Sequence, residues 1–247
     1  MLLYSMKIIN VEGIVISTTD YKESSKIINI LTKENGIIGC ISKGCKSLKS
    51  KLRLLSEKMA YGSFQISYKE NGLSTLIDGD IIDYFTNIKS DILSISYLTY
   101  ICELSSSVYK ESLDNNVYSL MINAIKKIEE GFNPKVITNI LELQYLEYLG
   151  INLNLDSCVK CGSTKVVTLS LSKGGYVCAN HRTNENILDE KVMKLLRLYY
   201  YVDISKISNL DIDESVIKQI DNIIDLYYEE YSGVYLKSKK FIKTLSE

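Results

Sequence analysis

The chain has 247 residues with 29 Lys and Arg against 30 Asp and Glu, a formal charge of −1, and it contains one His, one Pro, six Cys and no Trp. That length supports one or two domains with real cores, and 46% apolar with 24% charged residues excludes wholesale disorder, collagen-like repetition and a highly charged tail. A single His leaves little scope for Ser/His/Asp or Cys/His nucleophilic chemistry, whereas a net charge near zero excludes nothing about nucleic acid until its distribution along the chain is known.

Residues 1–11 hold too short an apolar stretch for a secretory signal. No later window approaches the ~18 uncharged apolar residues of a membrane span, so a cytoplasmic protein without a membrane partner is expected. From residue 8 to about 84 the pattern is strand-like, with β-branched runs at 8–17, 26–32, 36–42, 59–68 and 73–84. Asn35-Gly36 and Asn71-Gly72 mark tight hairpin turns. Five short strands with a longer connection between the third and fourth suit a small, partly open barrel of the OB type, and a generic SH3-like barrel fits the same pattern. Beyond Thr86 the period becomes helical. Ile88, Ile92, Ile95, Leu98 and Cys102 form one stripe, and Val117, Met121, Ala124 and Ile128 a second that ends at Gly131. Asn133-Pro134 is an N-cap and N1 pair for a third helix that stops at Gly150. Helices resume over about 188–201 and 214–231, with a short last one at 237–245. The expected fold class is therefore α+β, with a barrel domain at 1–84, a helical domain at 85–247 and an insertion at about 156–183.

That insertion holds the most specific signal. Cys158-x2-Cys161 is followed after sixteen residues by Cys178-x2-His181, two ligand pairs at the spacing of zinc ribbons and knuckles. The only His of the chain completes the set, and Gly162 with Gly174-Gly175 supplies the backbone freedom that such turns need. Four protein ligands close a tetrahedral site and leave no position for water, so the expected Zn2+ is structural rather than catalytic. A thioredoxin-like redox pair competes as a reading of Cys158 and Cys161, but that motif belongs on the strand-to-helix turn of a βαβ unit, which is not the context here. An unmetallated remnant is the third reading. Cys40, Cys45 and Cys102 read as buried or incidental thiols.

Charge is segregated along the chain. Residues 35–56 contain no acid, yet Lys43, Lys46, Lys49, Lys51 and Arg53 lie within them, a local charge of +5. Residues 1–80 carry eleven basic and eight acidic side chains, so the remainder carries −4. The segment leads from the third strand to the fourth, on a fold that commonly passes nucleic-acid strands across one face. Its lysines can neutralise phosphates without regard to sequence, with Tyr61 as the stacking candidate; a solvated lysine face and a Tyr61 packed at the barrel rim are the competing readings. A second basic group, Lys237, Lys239, Lys240 and Lys243, either receives an acidic peptide or a phosphate backbone or caps the end of the helical domain.

These residues resemble a family. Glu12-Gly13-Ile14-Val15-Ile16, Asp20-Tyr21-Lys22-Glu23 with Lys26-Ile27, and Lys43-Gly44 followed by Lys49-Ser50-Lys51-Leu52-Arg53 look like the N-terminal domain of the bacterial recombination mediator family RecO. Ser90-Asp91, the Cys-x2-Cys-Gly run with Gly174-Gly175 and a second ligand pair, and the closing Leu236-Lys237-Ser238-Lys239-Lys240-Phe241 agree in order and spacing. The resemblance implies an N-terminal OB-fold, a helical domain with an inserted zinc knuckle, and a role in RecF-pathway repair. It further implies binding of single- and double-stranded DNA, annealing of complementary strands, association with RecR and the single-strand-binding protein, and assistance to RecA, which places the protein at the nucleoid. By position, Lys22 and Lys26 join Lys43, Lys46, Lys49, Lys51 and Arg53 as DNA-contact candidates. No G-x-x-x-x-G-K-[ST] phosphate loop is present, so a non-enzymatic mediator is expected, with ATP turnover left to partners. The rival from another class is a zinc-stabilised protein–protein adaptor without intrinsic DNA binding, and a thiol redox enzyme is third. Two departures stand out: His181 replaces the Cys found in many members, and residues 1–5 precede the usual start, which leaves Met1 and Met6 as alternative initiators.

Overall fold

The computed structural model describes residues 7–234 and 236–245; Met6 and residues 1–5 lie outside the described residues. Two compact units divide the chain, Met1–Ser119 with Phe241–Glu247 as one and Leu120–Lys240 as the other.

In the first unit five strands close a barrel in the order β1-β2-β3-β5-β4, formed by β1 (Lys7–Tyr21), β2 (Ser25–Thr32), β3 (Gly36–Ser42), β4 (Tyr61–Tyr68) and β5 (Ser74–Asp83). Among the described residues of the barrel, only β3 and β5 pair in parallel, at Cys40 with Ser74 and Ile41 with Thr75. That order and closure are those of an OB barrel. Strand β1 extends beyond the expected 8–17 because it serves two neighbours. Its first half pairs with β4 and its second with β2, and the register slips between Val15 and Ser17, where a bulge bends the strand around the barrel. Alternating residues fill the interior: Val11, Val15, Ile28, Ile30, Ile38, Cys40, Phe64, Ile66 and Leu76. A single helical turn, α1 (Leu52–Leu55), adds Leu55 to that core at 2% exposure, so Leu55→Ala should cost about 2–5 kcal/mol.

Tyr61 does not offer a stacking face. It is 2% exposed, lies parallel to Phe85 at 5.6 Å between ring centroids, and donates its hydroxyl to Glu12 Oε1 at 2.6 Å. Tyr118 donates to the same carboxylate oxygen at 3.1 Å. An aromatic ring with a satisfied hydroxyl is worth more inside than out, so packing at the barrel rim is the outcome.

The first helical stripe is broken in two. Asp91, extended at φ −124 and ψ 125, ends α2 (Thr86–Ser90) and N-caps α3 (Ile92–Ser112) by accepting from the Ser94 N–H. The break shifts the phase, and Ile92 is left 67% exposed rather than in the core. Gly36 serves two ends here. It holds φ +63 at the β2–β3 turn, and a Cβ there would stand 2.0 Å from the Tyr109 hydroxyl of α3, so only Gly admits both the turn and the contact.

Helix α4 (Asn116–Glu129) runs across the division between units. The second unit is built around α5 (Pro134–Tyr148), where every residue from Val136 to Leu146 is buried. Asn133 accepts from the Lys135 and Val136 N–H groups, Pro134 follows at N1, and Gly150 leaves at φ +78, as its sequence implies. Gln144 of α5 donates to the Tyr199 and Val202 carbonyls at the end of α6 (Glu190–Tyr201). Next come α7 (Glu214–Tyr227), a wider π turn over Tyr228–Ser232, and α8 (Lys237–Leu245). Lys239 of α8 is held between Glu142 and Asp225, the latter at 2.8 Å. Of the readings open to the second basic group, this lysine therefore takes neither peptide nor phosphate: it closes the helical packing from within.

Candidate metal centre and basic loop

Between α5 and α6 the helical pattern lapses, and a hairpin absent from the expected elements appears, β6 (Thr168–Ser170) with β7 (Gly175–Val177). It carries one ligand pair beside the other. The Cys158 carbonyl accepts from the Gly162 N–H at 2.8 Å, and the Cys178 carbonyl accepts from the His181 and Arg182 N–H groups at 3.0 Å, so each pair sits on a tight turn. Gly175 permits their approach: a Cβ there would stand 2.3 Å from the Asn154 carbonyl oxygen and 2.8 Å from Val159. Val177 and the partly buried Val159 and Val166 pack with Cys158 and Cys178.

The four donor atoms converge. All lie within 4.8 Å of one another, with Cys161 Sγ to Cys178 Sγ at 3.8 Å, Cys158 Sγ to His181 Nδ1 at 3.6 Å and Cys178 Sγ to His181 Nδ1 at 3.3 Å. Zinc bonds of ~2.3 Å to sulfur and ~2.0 Å to nitrogen put the edges of a tetrahedron at about 3.8 Å for S···S and about 3.5 Å for S···N. The donor set fits such an ion, with Nδ1 as the ligating nitrogen of His181. Burial opposes ionisation of Cys158, yet the backbone N–H groups of Cys178, Lys160 and Cys161, with the Cys161 thiol, bring it down to about 6. The thiolate is the form that ligates a metal. A second layer holds the turn after His181: Lys173 donates to the His181 carbonyl at 2.9 Å and pairs with Glu185 at 3.5 Å, and Glu185 accepts from Ser170 and Thr183. The cluster can hold a metal ion, and its four protein donors saturate a tetrahedral centre.

The basic segment of the first unit is a succession of turns ending in α1. It is anchored by Cys45 at 1% exposure, by the Lys46 N–H on the Ser24 carbonyl at 3.0 Å and by the Gly44 N–H on Ser25 Oγ at 3.2 Å. Ser56 Oγ donates to Ser42 Oγ at 2.7 Å and clasps the far end. Its cations do not share one environment. Lys46 pairs with Asp20 at 3.0 Å, and Lys26, on β2, pairs with Glu57 at 2.9 Å. Lys22, at the β1–β2 turn with φ 55, lies over the Tyr21 ring at 5.3 Å. Lys43, Lys49, Lys51 and Arg53 are exposed, and among the described residues none has an acidic group within 4.0 Å. Two residues that sequence reasoning passed over stand among them: Leu48 is 80% exposed and Leu54 57% exposed. Their only sequence signal is leucine at non-periodic positions within a lysine run.

Set beside known proteins, residues 6–85 match the family described as Recombination protein O N terminal, and residues 89–240 match Recombination protein O C terminal. The chain is 37% identical over 243 residues to the DNA repair protein RecO of Listeria monocytogenes serotype 4a (strain HCC23), covering 96% of this chain and 94% of that protein. It is 37% identical over 238 residues to the DNA repair protein RecO of Bacillus subtilis (strain 168), covering 94% and 92%, and 34% identical over 243 residues to that of Bacillus pumilus (strain SAFR-032), covering 96% and 94%. No helix among the described residues is long and apolar enough to cross a membrane.

Proposed function

This chain belongs to the RecO family of DNA repair and recombination proteins, and from that premise we propose that it is a non-enzymatic mediator that binds DNA through the basic loop and anneals complementary strands. The observation that carries the reading is the set of four exposed cations, Lys43, Lys49, Lys51 and Arg53, without acidic partners among the described residues and held on an anchored loop. Such cations neutralise phosphates on two strands, reduce their mutual repulsion and raise their encounter rate, while base pairing supplies the specificity. Lys26 and Lys46 contribute to the same surface chiefly by fixing it, through Glu57 and Asp20, and Lys22 extends it at the neighbouring turn.

Zinc on Cys158, Cys161, Cys178 and His181 belongs to this proposal as a structural ion, which supplies folding energy to the knuckle and no reaction step. Association with RecR and the single-strand-binding protein, assistance to RecA loading, and a cytoplasmic location at the nucleoid rest on family membership.

Salt dependence tests the reading. With about four phosphates contacted, log K for a single strand should fall with log salt at a slope of about −3. Replacing Lys49, Lys51 and Arg53 together by Gln should flatten the slope to about −1. An unchanged slope overturns the assignment and favours the protein-only adaptor.

A further inference from the structure

Two large apolar side chains stand in water on the most cationic loop of the molecule. Leu48 is 80% exposed and Leu54 57% exposed, and both lie within the run that contains Lys43, Lys49, Lys51 and Arg53. Neither is needed by the barrel, whose core takes Leu55 and, in part, Leu52 from the same segment. The segment is not loose. Cys45 and Leu55 are buried, and turn bonds run from Ser47 N–H to the Gly44 carbonyl, from Ser50 N–H to the Ser47 carbonyl and from Arg53 N–H to the Ser50 carbonyl. The two leucines are therefore presented on a fixed frame, and leaving them exposed forgoes the stabilisation of burial.

The partner that suits this surface is anionic and offers flat apolar area between its charges. A duplex presents phosphates but keeps its base faces stacked inside, whereas an unpaired strand presents phosphates and base faces together. Building on the DNA-binding reading above, we infer that Leu48 and Leu54 form an apolar platform for unpaired bases, and that they give the loop its preference for single strands while the lysines bind either form. On this loop the role usually filled by exposed aromatic rings falls to aliphatic side chains, since residues 43–56 hold no aromatic residue. Aliphatic wedges such as Leu do contact and separate bases in other DNA complexes.

The test compares three ligands on the full-length protein: a labelled single strand, its duplex, and a strand of the same length with abasic sugars. Leu48→Ala combined with Leu54→Ala should weaken single-strand binding about tenfold, on the scale of burying most of one leucine side chain. Duplex binding and the salt slope should stay unchanged. The unaltered protein should bind the abasic strand about as weakly as the variant binds the normal one, and the variant should not distinguish the two. Equal losses on single strand and duplex, or no loss on either, overturn the inference while leaving the lysine-based reading intact. Retention of tight single-strand binding together with a leucine-dependent affinity for an acidic peptide also overturns it, assigning the platform to a protein partner. If the unaltered protein binds no DNA at low salt, the proposed function itself fails, an outcome distinct from the others because no substitution is involved. At such exposure the substitutions should leave the fold intact, which a thermal melt checks.

Discussion

The Cys3His knuckle and the basic loop are both irregular segments that display four candidate site residues, and they display them in opposite senses. In the knuckle the donors of Cys158, Cys161, Cys178 and His181 converge within 4.8 Å. In the loop Lys43, Lys49, Lys51 and Arg53 point outward to solvent. Three sulfurs and a ring nitrogen at that separation leave no room for water between them, and thiolates so close repel one another; a dication in the middle reverses the sign of the problem. Outward cations gain from separation and solvent, so the loop needs no ligand to hold its shape. On the proposed function, a metal in the knuckle would belong to folding, and DNA on the loop would belong to function alone.

The largest expected effect lies at the convergent site. Stripping the metal with a chelator, or replacing Cys178 by Ser, should remove a binding free energy of order 10 kcal/mol from the folded knuckle. The expected readouts are one metal ion per chain before treatment and, after it, a lower melting temperature with new protease cleavage within residues 156–183. A stripped protein that melts unchanged would break the comparison.

A lysine placed in the convergent sense should behave like the knuckle rather than the loop. Lys239 sits between Glu142, a fully buried carboxylate, and Asp225. Lys239→Met removes the ammonium from two acids and should cost about 3–5 kcal/mol, measured by urea unfolding. The smallest effect should come from the outward cations. Replacing Lys49, Lys51 and Arg53 together by Gln should leave the unfolding free energy within about 0.5 kcal/mol, although it should flatten the salt dependence of DNA binding on the proposed function. A large stability loss there would mean that the loop's cations hold the fold after all.

The ligand set was legible because its geometry is local: two residues between ligands are enough for one tight turn to aim both at a common centre. The barrel was legible from β-branched runs and its hairpin turns, and the helices from their stripes and from caps such as Asn133-Pro134 and Gly150. The extra reach of β1 was not, since a strand's length depends on how many neighbours it finds. The β6–β7 hairpin was hidden because three-residue strands carry no period. The fate of each cation was equally hidden. Lys26 meets an acid 31 residues away and Lys239 one 97 residues away, and no window of sequence spans such distances.

By itself the sequence determined which groups are present and how they are spaced: a closed Cys3His donor set, a +5 segment in a neutral chain, five strands and then helices. Those follow from bonding geometry and periodicity, which act over a few residues. The tertiary structure alone decided direction, turning Tyr61 and Lys239 inward and Leu48 and Lys49 outward. Whether a side chain is buried or presented depends on what the rest of the chain packs against it, and that packing is long-range.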